Sequence, residues 1–161
     1  MPRLTVIGIG SDSADDRAGW NVVEALVASG EIAAYGKSIL VTACGSPTGE
    51  LLSLLANTDI AILVDAVRFS GAPGTVYRLD GVGSSTASPS FISSHGVDLP
   101  TMLALAATLK QSPRVVILYG IEAGPDFVAD SRMGQCVFHA VERVTEDIKR
   151  DMANFCTPEY R

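Results

Sequence analysis

Buried-strand patterns alternate with helical stripes along this chain of 161 residues, and that alternation constrains the fold most. Residues 4–9 and 60–67 are nearly continuous apolar runs, which is typical of parallel strands covered on both faces. After the first run, apolar residues recur at helical spacing from Ala18 to Leu26. The pattern predicts a single domain over residues 1–161, an α/β fold with a mainly parallel sheet and helices on both faces.

The remaining elements are predicted from apolar periodicity and from turn residues. Further strands are expected at 38–43 and 115–119, and a short antiparallel edge strand at 75–79. Helices are expected after Pro47, after an Asp98 cap, and at about 133–155, and Gly30 should end the first helix. Residues 81–94 and 121–130 are expected to be loops, the first of them long and rich in Gly and Ser.

Composition excludes several classes of protein. The apolar share of 47% and the charged share of 19% indicate a globular protein, and the net charge of -6 argues against a nucleic-acid partner. No apolar run is long enough to span a membrane, and the N-terminus lacks a signal-peptide pattern. Three widely spaced cysteines suit reduced thiols, so we expect a cytoplasmic protein.

Acidic residues follow the first strand at once. Gly8 and Gly10 allow a sharp turn, and Asp12, Asp15 and Asp16 come next. A dinucleotide-binding fingerprint would need a glycine where Ser13 stands, and carboxylates would repel a pyrophosphate. The alternative is that Asp15 and Asp16 only cap the following helix and offset its dipole.

Three potential metal ligands fall at junctions that a parallel sheet should bring to one edge. Asp16 follows the first strand, Asp65 interrupts an apolar strand, and His95 lies in the Ser-rich segment. Two carboxylates and an imidazole suit a borderline divalent transition metal such as nickel, zinc or manganese. Taken singly, each has a structural alternative: a helix-start acid, a satisfied buried carboxylate and a solvated histidine.

Other catalytic patterns are weaker. The chain has neither an H-E-x-x-H helix nor a G-x-S-x-G elbow. Cys136 and His139 could form a nucleophile and base, but a histidine on a helix face is the preferred interpretation. Cys44 could be a soft metal contact, although a small buried residue is the more common role of a free cysteine.

Several segments together resemble the [NiFe]-hydrogenase maturation proteases. In chain order they are Val6-Ile7-Gly8-Ile9-Gly10, Ala14-Asp15-Asp16-Arg17-Ala18-Gly19, Val23-Glu24-Ala25-Leu26, Leu63-Val64-Asp65-Ala66-Val67, Ala72-Pro73-Gly74-Thr75 and Ser93-Ser94-His95-Gly96-Val97-Asp98-Leu99. The set extends over nearly the whole chain. In two places the chain departs from the family pattern, because Ser11 replaces an asparagine and Ala43-Cys44-Gly45 replaces Asp-Gly-Gly.

The resemblance implies a three-layer α/β/α sandwich with a mostly parallel, twisted five-stranded sheet. It implies an endopeptidase that removes the C-terminal peptide of a [NiFe]-hydrogenase large-subunit precursor once nickel is inserted. Asp16, Asp65 and His95 match the catalytic and metal-binding positions, so they should contact nickel carried by the substrate. Asp16 or Asp65 acting as a general base is an alternative, and so are a non-cleaving nickel- or precursor-binding module and a nucleotide-binding domain.

Overall fold

A computed structural model describes residues 3–45, 49–81, 92–93, 99–125 and 132–156 of the chain. The strands are β1 (Leu4–Ile9), β2 (Ile39–Cys44), β3 (Ile60–Arg68), β4 (Val76–Asp80), β5 (Ile92–Ser93) and β6 (Val115–Glu122). The helices are α1 (Ala18–Ala28), α2 (Gly49–Ala56), α3 (Leu99–Thr108) and α4 (Gln135–Phe155), with 3-10 helices at Ala14–Arg17 and Glu31–Ser38.

The sheet has the predicted α/β topology. Its strands are ordered β2-β1-β3-β6-β4, with the two-residue β5 paired antiparallel to the end of β3. The first four strands of that order are parallel, and β4 is the antiparallel edge strand that the sequence predicted. The five main strands therefore form the mostly parallel sheet of the expected fold class.

Helices cover both faces, which makes three layers. The side chains of α1 and α4, among them Val22 and Ile148, pack on one face of the sheet. Those of α2 and α3, among them Leu55 and Leu103, pack on the other. Strands β1 and β3 lie between two apolar layers, so their near-continuous hydrophobic composition follows from burial on both sides.

Glycine lets α1 sit directly on the strand ends. A Cβ on Gly19 would lie 2.4 Å from the carbonyl oxygen of Ile9 and 2.6 Å from that of Val64. A Cβ on Gly8 would lie 2.2 Å from the Gly19 carbonyl oxygen. The start of α1 is thus fixed within van der Waals distance of the backbone of β1 and β3.

Most expected boundaries are confirmed within a few residues, and Gly30 has the positive φ of 72° expected beyond a helix end. The 3-10 helix at Glu31–Ser38 was not predicted. Strand β6 runs three residues past its predicted end, because Glu122 still pairs with Val67 of β3 and exchanges backbone hydrogen bonds with Gly74 and Thr75, just before β4. Among the described residues, no helix is both long and apolar enough to cross a membrane.

Candidate functional site at the carboxyl edge of the sheet

Asp65 is a buried acid in the middle of the sheet. It is 1% exposed and pairs with Gly120 of β6. The last residue pair between β1 and β3 is Gly8 with Val64, so Asp65 lies immediately past the end of the β1 ladder. Strand alternation puts its side chain on the face of Leu63 and Val67, the face that α2 and α3 cover. A carboxylate is thus held at the edge where open α/β sheets bind ligands.

Asp16 lies in the 3-10 helix that follows β1. Its backbone oxygen accepts a hydrogen bond from Ser11 N–H at 3.3 Å, and it would lie 2.5 Å from a Cβ on Gly10. The loop can close this tightly only because residue 10 is glycine. The 3-10 helix also contacts β3, so Asp16 and Asp65 share one edge of the sheet.

The third predicted ligand lies outside the described residues. His95 belongs to the segment 94–98, so the meeting of all three side chains stays a prediction. The same holds for the Asp98 cap and for most of the loop at 81–94. Within the ranges the structure describes, no three His, Cys, Asp or Glu side chains form a metal-binding group.

Asp15 differs from its neighbour Asp16. Its two carboxylate oxygens accept the backbone N–H groups of Gly124 and Gly134, each at 2.8 Å. Gly134 is the N-cap residue of α4, so Asp15 binds the start of another helix. The alternative interpretation, that Asp15 only caps its own helix, is therefore wrong. Asp15 thereby fixes both ends of the connection between β6 and α4 at this edge.

Glu122 is a second buried acid that the sequence analysis missed. It is 3% exposed, and both its carboxylate oxygens accept the backbone N–H of Phe69 at 3.0 Å. The pKa of Tyr77 is raised above its usual value, mainly because the phenol is partly buried and secondly because the Glu122 carboxylate is nearby. The signal was present in the sequence, because a charge ends the apolar run of β6 much as Asp65 interrupts that of β3.

Cys44 lies close to the position where the maturation protease pattern has an acid. It pairs with Ile9, is 1% exposed, and packs in the apolar layer under α2. Its thiol donates a hydrogen bond to Glu50 Oε2 at 3.7 Å. These contacts agree with the buried-residue interpretation. The carbonyl oxygen of Cys44 accepts two further hydrogen bonds, each at 3.1 Å, from Gly10 N–H and from the indole of Trp20.

Cys136 and His139 are both exposed on α4. The imidazole Nδ1 of His139 lies 3.2 Å from Glu142 Oε2. The preferred interpretation of His139 as a histidine on a helix face is confirmed.

Fold and site together define an open α/β/α protein with carboxylates gathered at the carboxyl edge of a parallel sheet. A family model described as HycI, hydrogenase maturation protease, matches residues 21–151. The chain belongs to this hydrogenase maturation protease family. The match begins at Asn21, inside α1, so Asp16 and the loop after β1 lie outside it.

Solved structures support the same fold. The hydrogenase maturating endopeptidase HybD from E. coli superposes with a TM-score of 0.75 at 23% identity, covering 96% of this chain and 94% of that one. The [NiFe] hydrogenase maturation protease HycI from Thermococcus kodakarensis KOD1 gives 0.70 at 23% identity, covering 91% and 90%. An endopeptidase from Escherichia coli gives 0.70 at 25% identity, covering 91% and 89%. No curated protein matches at a significant level.

Proposed function

We propose that this protein is an endopeptidase that removes the C-terminal peptide of a [NiFe]-hydrogenase large-subunit precursor after nickel insertion. Membership of the maturation protease family supports hydrolysis of a peptide bond. The observation that carries the proposal to particular residues is Asp65, an acid 1% exposed at the carboxyl edge of an otherwise apolar strand. Burial of a carboxylate is costly, so its presence at a ligand-binding edge favours a functional role.

Asp16, Asp65 and His95 are proposed to contact the nickel that the precursor carries. Carboxylate oxygens and an imidazole nitrogen are suitable ligands for a borderline divalent ion whose other ligands come from the substrate. Such contacts would let the enzyme recognise only a nickel-loaded precursor and would place the scissile peptide at the edge of the sheet. Nickel held there could also polarise the scissile carbonyl.

A water molecule must attack that carbonyl, and an acid at the same edge can accept its proton. Asp16 and Asp65 both lie at this edge, and either could serve as general base. Both roles need an ionised carboxylate, so an amide of the same shape removes each of them.

The test uses two ends of one strand. Asp65→Asn should abolish trimming of a nickel-loaded precursor, seen as loss of the size shift on a denaturing gel. Asp59→Asn is the matched control, because Asp59 precedes β3 at the opposite edge and accepts Arg3 N–H at 2.7 Å. It should trim normally. If Asp65→Asn, folded by circular dichroism, trims at the wild-type rate, the assignment of Asp65 is wrong.

A parallel pair addresses the first loop. Asp16→Asn should also abolish trimming, whereas Asp12→Asn changes an acid whose side chain is 80% exposed and should retain it. His95→Gln tests the third proposed nickel contact in the same trimming assay.

The chief alternative is a module that holds the precursor without cleaving it, and the missing acid near Cys44 favours it. Such a module would form a stable complex with the nickel-loaded precursor and produce no size shift.

A further inference from the structure

Trp20 is the single tryptophan of the chain and lies in the first turn of α1, beside the candidate site. Its indole N–H donates to the carbonyl oxygen of Cys44, the last residue of β2, at 3.1 Å. That oxygen already accepts Gly10 N–H, so the indole adds a second donor at the point where β1 and β2 end.

Gly10 links Trp20 to the acidic loop. A Cβ at residue 10 would lie 3.1 Å from Cδ1 of the indole and 2.5 Å from the backbone oxygen of Asp16. The ring and the Asp16 backbone therefore flank the same glycine. Trp20 borders the edge at which Asp16 and Asp65 are found.

Arg17 limits the movement of the ring further. Its guanidinium carbon lies 5.8 Å from the centre of the Trp20 ring, within cation–π range. Arg17 is in turn held by ion pairs to Asp12 and, at 2.6 Å, to Glu24. The indole is thus fixed from three sides while it stays half-buried.

Packing of the interior does not explain this arrangement. Neither of the two hydrophobic clusters formed by the described residues includes Trp20. A large, partly exposed aromatic ring in a fixed orientation is the kind of side chain that supplies much of the binding energy of protein interfaces. Little conformational entropy is lost when such a ring is covered by a partner.

We infer that Trp20 contacts the precursor polypeptide beside the scissile bond and determines how tightly that polypeptide binds. The inference depends on the proposed function. Residues 12–24 carry a net formal charge of -3, so the segment that lies on Trp20 is a basic one. Trp20 is a substrate-contacting residue, distinct from the acids and histidine proposed to contact nickel.

The first measurement uses the intact protein labelled with 5-fluorotryptophan, which gives one 19F resonance because there is one tryptophan. Adding nickel-loaded precursor should shift that resonance, and nickel chloride alone should leave it unchanged. A resonance that stays fixed while the precursor is trimmed overturns the inference and leaves the proposed function standing. If the wild-type protein does not trim the precursor, both the proposed function and the inference about Trp20 are wrong.

The second measurement separates binding from chemistry. Trp20→Val should raise KM about tenfold with kcat within about twofold, and Trp20→Phe, which keeps an aromatic ring, should recover most of the loss. Leu109→Ala is the control variant and should keep the wild-type KM. Leu109 is 51% exposed and lies between α3 and β6, at the opposite edge of the sheet. The KM of the wild type should rise with ionic strength.

A folded Trp20→Val protein with the wild-type KM overturns the contact, and a KM that is insensitive to salt overturns the basic character of the bound segment. Thermal unfolding of each variant shows whether it is folded. The 19F measurement needs no substitution, so it decides the question even if Trp20→Val does not fold.

Discussion

Asp15 and Asp16 are adjacent in the sequence, yet we expect them to have opposite roles. Asp15 gives both carboxylate oxygens to backbone N–H groups, those of Gly124 and Gly134, across 109 and 119 residues of chain. Asp15→Ala removes both hydrogen bonds at once. Since the connection between β6 and α4 starts and ends at these two groups, the substitution should destabilise the fold.

The size of the effect follows from the surroundings of the two donors. A hydrogen bond to a charged group contributes about 1.5–3 kcal/mol. Gly134 is exposed, so water can replace the carboxylate there, whereas Gly124 is half-buried and its N–H is harder to solvate. Loss of one acid from a chain of net charge -6 also relieves some repulsion. We expect Asp15→Ala to lower the free energy of unfolding by about 2–3 kcal/mol, or about 5–10 °C in melting temperature.

Urea unfolding and differential scanning calorimetry measure that loss, and hydrogen exchange locates it. The amides of Gly124 and Gly134 should lose protection in Asp15→Ala. Asp12→Asn is the matched control in the same loop, because its exposed pair with Arg17 contributes at most about 1 kcal/mol. The reasoning is refuted if Asp15→Ala unfolds at the wild-type urea concentration with both amides still protected.

Two further predictions concern packing and pH. Gly19→Ala would put a Cβ 2.4 Å from a backbone oxygen and should cost about 3 kcal/mol in calorimetry; Gly49→Ala, where nothing lies within 4 Å, should cost nothing. The pKa of Tyr119 is raised, mainly because the side chain is buried and secondly because its hydroxyl donates a hydrogen bond to Asp151. The folded state therefore holds that proton more tightly, and stability should fall as pH rises above about 10. The free energy of unfolding of Tyr119→Phe, measured with urea at pH 9–11, should fall less steeply with pH than that of the wild type. Parallel pH dependences of the two proteins would contradict this.

The hydrophobic pattern was sufficient to predict the five main strands, the parallel topology and the covered faces. The two-residue β5 was not predicted, because Ile92 and Ser93 lie in a segment that was expected to be a loop. Strands β1 and β3 carry uninterrupted apolar runs because helices cover both of their sides. The antiparallel edge strand was predicted from a turn and a short run, and β4 confirms it. The end of β6 was missed, because Glu122 looks like a loop residue until its carboxylate is seen to accept Phe69 N–H.

The candidate site was only partly predictable. Asp65 was found because a charge inside an apolar strand is conspicuous in the sequence itself. The different duties of Asp15 and Asp16 were not, because the partners of Asp15 lie more than 100 residues away. The position of Trp20 also depends on a distant group, the carbonyl oxygen of Cys44.

By itself, the sequence determined where chain segments are apolar, how often they repeat, and which acids stand at the ends of strands. Those properties decide the layered fold, since burial of apolar surface depends on local periodicity. Tertiary structure decided which acid accepts hydrogen bonds from backbone N–H groups and which aromatic ring borders the carboxyl edge of the sheet. Such choices depend on hydrogen bonds between groups that only folding brings to about 3 Å from each other.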